Sequence, residues 1–467
     1  MSKTTLTFYS GLRTIGGTII SLEYGNSRVL FDFGFVYSPA SNIFDGQVQQ
    51  RPSAFTRDYL KLGMLHKIDG IYHKEALLHE PSLLPAQEDQ RETAVLISHL
   101  HLDHMGAMGA IDASIPVYMT SDSLRLYGAL ETIGEGVANS RSYQSCEYNQ
   151  AFFVGDIKIT PLIVDHDVLG ACAYHLETPD GAIVYTGDLR MHGAHPDRIE
   201  SFIKSAKAKG FDAVIMEGTT LSGDEEPTSE ELVASRLLPS DLVTEKMIPI
   251  KMGEILKDTK GIGIFNIYHR NMDRIQGIIE AARISNRKVV LEISTAEIAS
   301  KLLAQVDFFI YESEDLRQAK ANNSLPEWQV KLLDTLPTVS YKDINEHPNE
   351  FFVQNSYQHS LELFDLHVED GIYLHSNGVP LGSFDPAFEN LEKILQNIGL
   401  ERMEIGTGGH AIPQHLKYIV DELDPAILIP LHSFHPERLK SKHGIQLLPS
   451  YGVTYILTGG KMTEEVK

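Results

Sequence analysis

Apolar positions in the first hundred residues alternate with polar ones and then crowd into short unbroken runs, the pattern of strands buried on one face or on both. Thr18-Ile19-Ile20-Ser21-Leu22-Glu23-Tyr24 and Arg28-Val29-Leu30-Phe31-Asp32-Phe33-Gly34 are parted by a Gly25-Asn26 turn, which predicts a hairpin. The pattern fades between 41 and 92 into a polar, proline-containing stretch, read as a surface insertion with some helix. Its His66, His73 and His79 have no ligand-like neighbours and are expected to be solvated. Strand signals return at Ala94-Val95-Leu96-Ile97, at 152–159, at 173–177 and at 182–186, separated by Gly, Pro and Asp turns, so this half reads as a sheet-rich layer.

After Glu217 helix-like and strand-like segments alternate. Glu230–Leu238 and Arg274–Ala282 have helical spacing, while Gly261–Ile267 and Lys288–Ile293 look like buried strands, which predicts an α/β layer of parallel strands. Phe388–Ile398 and Pro413–Glu422 read as amphipathic helices, Ala426–Leu431 as a short strand ending at His432, and Lys461–Lys467 as a solvated tail. The organisation is one domain interrupted by another: 1–217 with its insertion at 41–92, a second domain over 218–385, and a return to the first over 386–467.

Composition narrows the class. The 467 residues are 42% hydrophobic and 22% charged, enough for two or three compact units with cores of their own. No apolar run approaches the length of a membrane span and no basic start precedes an apolar stretch, so a cytoplasmic protein without a membrane partner is expected. The two cysteines, Cys146 and Cys172, lack metal-like spacing and fit a reducing compartment. A net charge of -23 argues against a general electrostatic nucleic-acid binder. It leaves room for a nuclease, because bound dications supply local positive charge where a phosphate would sit.

The chemistry is concentrated in Ser98-His99-Leu100-His101-Leu102-Asp103-His104-Met105-Gly106, directly after an apolar run. Imidazoles and carboxylates at a buried strand end need partners, and a divalent metal supplies them. Residues two apart on an extended segment share a side, so His99 and His101 can grip one ion while Asp103 and His104 face a second. Three further candidates also follow apolar strands: His166 after Pro161–Val164, Asp188 after Ile183–Tyr185, and His432 after Leu428–Leu431. Asp188 can bridge two cations, with His166 and His432 completing the two shells. His175, His192, His195 and His435 are expected to be structural or to support ligands from behind.

The opening cluster, His166, Thr186-Gly187-Asp188-Leu189-Arg190 and His432 resemble the motif series of the metallo-β-lactamase superfamily. Val214-Ile215-Met216-Glu217-Gly218-Thr219 and Thr407-Gly408-Gly409-His410-Ala411 resemble the extra acidic and histidine motifs of its β-CASP nucleic-acid-processing branch. Asn271–Gln276 and His375–Gly382 are similar to further segments of ribonuclease J, and the resemblance runs from about Gly11 to Glu437. It implies an αββα metallo-β-lactamase sandwich interrupted by an α/β β-CASP domain. It also implies two Zn2+ ions, with Mn2+ as the alternative for oxygen-rich sites, and a single-stranded RNA substrate. On this reading His99, His101 and His166 hold one ion, Asp103, His104 and His432 the other, and Asp188 bridges. The catalytic set is Asp103, His410 and Glu217, with Glu217 orienting the His410 acid. Arg274, Ser376 and Tyr268, with His269, Arg270 and Asn271, fall in segments that line the family's substrate groove.

The chain departs from the family at two places. His432-Ser433-Phe434 stands where ribonuclease J has His-Gly-Glu, and Asn355-Ser356-Tyr357-Gln358-His359 replaces a glycine-rich phosphate loop. The sequence also stops soon after the last motif, so the C-terminal domain that supports dimers in many ribonucleases J is not expected, and oligomeric state does not carry over. The expected activity is zinc-dependent phosphodiester hydrolysis of single-stranded RNA, with 5'-to-3' exonuclease action as one mode. Two alternatives are a zinc hydrolase of a small ester, lactone or nucleotide, and an inactive RNA-binding scaffold.

Overall fold

A computed structural model of the chain describes residues 2–38, 43–44, 47–139, 141–228, 230–305 and 307–465, so residues 41, 42, 45 and 46 of the expected insertion lie outside the described residues. Three sheets organise them. The first runs, edge to edge, through Lys461–Glu464, Thr454–Thr458, Thr4–Ser10, Ile19–Tyr24, Ser27–Phe31, Glu92–Leu96, Val117–Thr120 and Gln144–Cys146. The second runs through Ile445–Gln446, Ile427–Leu431, Ala213–Glu217, Gly181–Tyr185, Cys172–Thr178, Ile157–Ile163 and Phe152–Val154.

Strand periodicity sorts the side chains of these two sheets into layers. Val29, Phe31, Ala94 and Leu96 enter the core between the sheets, whereas Leu30, Val95 and Ile97 face outward to a second core. In the opposite sheet Ile183, Ala213, Ile215, Ile427 and Ile429 face the shared core, and Val184, Val214, Met216 and Leu428 face the helices Asp197–Lys209 and Pro413–Leu423. Helix Ser121–Thr132 covers the outer face of the first sheet through Leu126, Ala129 and Leu130. The result is an αββα sandwich. Burying each such side chain stabilises by roughly 1.5–3 kcal/mol, and a one-residue slip would exchange the two cores, so register is tightly fixed.

The third sheet is parallel throughout, in the order Thr338–Val339, Phe309–Tyr311, Lys288–Leu291, Phe351–Gln354, Gly263–Ile267, Ile372–Ser376 and Glu401–Glu404. Helices Ile248–Asp258 and Met272–Ser285 pack on the face that carries Phe265, and Pro386–Ile398 packs on the face that carries Ile264 and Tyr373. Its last strand lies beyond 385, so this sheet reaches further along the chain than the expected boundary.

The hairpin forms as expected, with Tyr24 opposite Ser27 across Gly25-Asn26. Three readings are corrected. Residues 230–238 form turns and irregular chain rather than a helix: Leu232 packs on the core, but Val233, Leu237 and Leu238 are exposed, too little burial to hold a helix. Lys461–Glu464 is a strand paired with Thr454–Thr458 and buries Met462, so it is no solvated tail. The 41–92 segment is more than surface, since Phe55, Tyr59, Leu65, Ile68, Ile71, Tyr72 and Leu77 join the outer core of the first sheet. Its His73 and His79 are exposed and His66 is half-buried.

Candidate metal centre

Topology brings the candidate residues to one edge. Ser27–Phe31 and Glu92–Leu96 are parallel in the first sheet, and Gly181–Tyr185, Ala213–Glu217 and Ile427–Leu431 are parallel in the second. Ile157–Ile163 is antiparallel to Cys172–Thr178, which is antiparallel to Gly181–Tyr185, so it too runs in the common direction. Carboxyl ends of such strands open on a shared crevice. From them emerge Asp32, His99 and His101, His166, Asp188, Glu217 and His432, with Asp103 and His104 on the short helix Leu102–Met105. Asp32 and His432 take left-handed φ values of 57° and 52°, a strained setting for non-glycine residues that turns each chain sharply at its strand end. Gly34 is required nearby, because a Cβ there would lie 1.7 Å from the Asp103 carbonyl oxygen.

All seven expected ligands converge. His101 Nδ1 is 3.2 Å from His99 Nε2 and 3.2 Å from His166 Nε2. His104 Nε2 is 3.1 Å from His432 Nε2, which is 3.2 Å from Asp103 Oδ2. Asp188 Oδ2 lies between the groups, 3.6 Å from His99 Nε2, 3.1 Å from His104 Nε2 and 3.7 Å from His432 Nε2.

Which ring nitrogens are bare follows from the groups behind them. Asp32 accepts from His104 Nδ1 at 2.7 Å, Gly409 O from His166 Nδ1 at 2.6 Å, and Thr219 Oγ1 from His432 Nδ1 at 2.8 Å. Ser98 donates its hydroxyl to Asp32 and sits 3.0 Å from His99 Nδ1, ready to accept from it. In their neutral form these four rings therefore point bare Nε2 lone pairs at one another and at a carboxylate. Asp188 Oδ2 is buried with no hydrogen-bond donor. Such an arrangement is repulsive and unsatisfied by itself and is matched by divalent cations, so the residues present fit a metal centre.

Beside it stands the pair expected to handle protons. His410 Nδ1 is 3.1 Å from Glu217 Oε2 and 3.8 Å from Asp188 Oδ2. Glu217 is fully buried, and its oxygens accept from the backbone N–H of Leu189 and of Thr219. Although burial alone would discharge the imidazole, Glu217 and Asp188 raise His410 to about 10. Burial likewise opposes the Glu217 charge, and His410 holds that carboxyl below its usual range. Glu217 and His410 also lie close enough to Asp188 and His432 to count as a ligand cluster. With both oxygens of Glu217 engaged by backbone and His410, the pair is better suited to moving a proton than to binding an ion.

The groove residues part company. Tyr268 reaches the centre, its ring 5.4 Å from that of His101. Arg274 and Ser376 do not face a groove: both are buried, and Arg274 donates to Glu245, to Ser376 O and Oγ and to Asn377 Oδ1. His269 and Arg270 pair with Glu135, at 2.9 and 3.0 Å, and Arg270 also donates to Leu100 O, so they tie the third sheet to the sandwich. Asn271 caps its helix by accepting from Arg274 N. In the 355–359 loop, Ser356 gives both its N–H and its hydroxyl to Glu292. His175, His192 and His435 have supporting partners in Gly210 O, Gly408 O and Glu437, and His195 lies 3.5 Å from Asp273. Sequence reasoning passed over Asp32, Asp167, Ser98 and Thr219. Asp32 had a visible signal, since it too follows an apolar strand.

Fold and site together define a class: a metal-dependent hydrolase on a β-lactamase-type α/β sandwich. Residues 70–262 match the family model described as a β-lactamase superfamily domain. The chain resembles ribonuclease J over about nine-tenths of its length. It is 23% identical over 435 residues to ribonuclease J of Mycoplasma genitalium, covering 91% of this chain and 67% of that protein. It is 21% identical over 430 residues to ribonuclease J of Pyrococcus abyssi, covering 90% and 88%. Among solved structures it is similar to a protein of unknown function from Enterococcus faecalis V583, with a TM-score of 0.78 and 27% identity over 97% of this chain and 100% of that one. No helix among the described residues is long and apolar enough to cross a membrane.

Proposed function

We propose that this chain is a zinc-dependent ribonuclease that hydrolyses phosphodiester bonds of single-stranded RNA. The observation that carries the reading is the Glu217–His410 pair beside Asp188, at the edge where the seven ligands converge. The names of the relatives supply the RNA. His99, His101 and His166 would hold one ion and Asp103, His104 and His432 a second, with Asp188 within reach of both groups. Zn2+ suits this imidazole-rich set, with Mn2+ as the alternative. Divalent ions in such a set lower the pKa of a water and neutralise charge on a phosphate.

The chain's own residues supply the rest. Asp32, Ser98, Thr219 and the Gly409 carbonyl fix ring tautomers before any substrate arrives. His410, held by Glu217, donates a proton to the leaving oxygen. Tyr268 offers an aromatic face to an unpaired base beside His101. The 5'-to-3' exonuclease mode rests on the resemblance. At the 355–359 loop the Ser356 donors are engaged by Glu292, so recognition of a 5'-phosphate there requires their release. We place the return from the inserted β-CASP domain to the sandwich near 405, after the last strand of the third sheet. The buried, unpaired Cys146 and Cys172 accord with a cytoplasmic setting.

The test is a comparison of RNA with bis(p-nitrophenyl) phosphate as substrates for wild type and His410→Ala. The variant is expected to keep its metal and to lose roughly 10²- to 10⁴-fold in turnover on RNA. Loss of metal from the variant would show that His410 is a ligand. Efficient cleavage of the small diester with none of RNA would favour the small-ester reading.

A further inference from the structure

Asp167 follows His166 and has no part in the scheme above, yet it lies inside the centre. Its Oδ1 is 3.2 Å from His101 Nε2 and 3.3 Å from His166 Nε2. That oxygen is buried and no hydrogen-bond donor is aligned with it. The approach depends on a missing side chain, since a Cβ at Gly409 would come 2.7 Å from Asp167 Oδ1 and 2.7 Å from His166 Cε1.

His101 differs from the other imidazoles. It turns Nδ1 toward the shared point, where they turn Nε2, so its outer nitrogen is Nε2. The outer nitrogens of His99, His104, His166 and His432 face Ser98 Oγ, Asp32, Gly409 O and Thr219 Oγ1. The outer nitrogen of His101 faces Asp167. Resting on the metal-centre reading, we infer that Asp167 is the positioning residue of His101. Its carboxylate, 3.2 Å from Nε2, favours the tautomer that carries the proton there, leaves the Nδ1 lone pair toward the ion, and adds a negative charge on the His99, His101 and His166 side only. Without it His101 can take the other tautomer, which would present a proton to the cation.

The experiment is calorimetric titration of metal-stripped protein with Zn2+, for wild type, Asp167→Ala and Asp167→Asn, together with the visible spectrum of the Co2+-loaded proteins and the melting temperature of each stripped protein. Wild type is expected to bind two ions. Asp167→Ala is expected to weaken one of them by about 10- to 100-fold, leave the other unchanged and shift the Co2+ spectrum, with the stripped protein melting as wild type does. Asp167→Asn, which keeps an acceptor, is expected to fall between the two. Unchanged affinities in Asp167→Ala would overturn the inference. So would an equal loss at both sites accompanied by a lower melting temperature, the mark of a merely structural role. Failure of wild type to bind any divalent ion would instead remove the metal centre itself, and the inference with it.

Discussion

Asp32 shows how one residue can order the candidate ligands from behind. Its carboxylate accepts from Ser98 N at 2.7 Å, Ser98 Oγ at 2.8 Å, His104 Nδ1 at 2.7 Å and the Tyr185 hydroxyl, with both sheets of the sandwich contributing. Asp32→Ala would leave buried donors unpaired at about 1–3 kcal/mol each and free the His104 ring to turn. The expected outcome is a loss of about 10- to 100-fold in divalent-ion affinity together with reduced stability, read by titration and by denaturant unfolding. That combination separates it from Asp167→Ala, for which only the affinity falls. The convergence of the candidate ligands was legible because His99, His166, Asp188 and His432 each come just after an apolar strand. Arg274 and Ser376 were not, because a motif names side chains but not their direction. Arg274 is turned inward by Glu245, and no local pattern links those two residues.

Among elements, the decisive one is the Thr407–His410 loop. Arg190 and His192 both donate to Gly408 O, at 3.0 and 3.1 Å. Behind them Glu245 pairs with Arg190 at 3.2 Å and with Arg274 at 2.6 Å, all three buried. This Arg–Glu–Arg cluster links the loop after Gly181–Tyr185, the entry to helix Ile248–Asp258 and the start of helix Met272–Ser285. Removing the shared anion takes from two buried guanidinium groups their nearest carboxylate. Glu245→Ala is therefore expected to cost about 3–5 kcal/mol in denaturant unfolding, and Glu245→Gln less. A cost under about 1 kcal/mol would show that the cluster is solvated in solution. Strands and long amphipathic helices were readable from period alone, because burial enforces it. The helix expected over 230–238 was not borne out: its spacing is helical, but Leu232 packs on the core while Val233, Leu237 and Leu238 stay exposed.

For the whole molecule, the question is how the third sheet is held against the sandwich. Glu135 meets His269 and Arg270 across that boundary. Burial raises the Glu135 carboxyl, but His269 and Arg270 outweigh it and draw it down from 4.5 to about 2. A carboxyl with a depressed folded-state value contributes stability above its unfolded value and loses it as pH falls through the folded one. The difference in melting temperature between wild type and Glu135→Gln should accordingly be full above pH 4.5 and shrink toward pH 2. A difference independent of pH would contradict the ion pair. The interrupted organisation could be read from the change of texture after Glu217, but this contact could not, since 134 residues separate Glu135 from His269. With a net charge of -23, an anionic substrate would depend on cations held at the strand edge.

The most direct test of that dependence is cleavage of a 5'-monophosphorylated, 3'-labelled single-stranded RNA by zinc-loaded wild type beside Asp103→Asn, with products resolved on a gel. Cleavage by wild type and its loss in the variant are expected. Early mononucleotide release would mark a 5' exonuclease, and discrete internal fragments an endonuclease. Intact RNA after incubation with fully metal-loaded wild type, or undiminished cleavage by Asp103→Asn, would contradict that dependence.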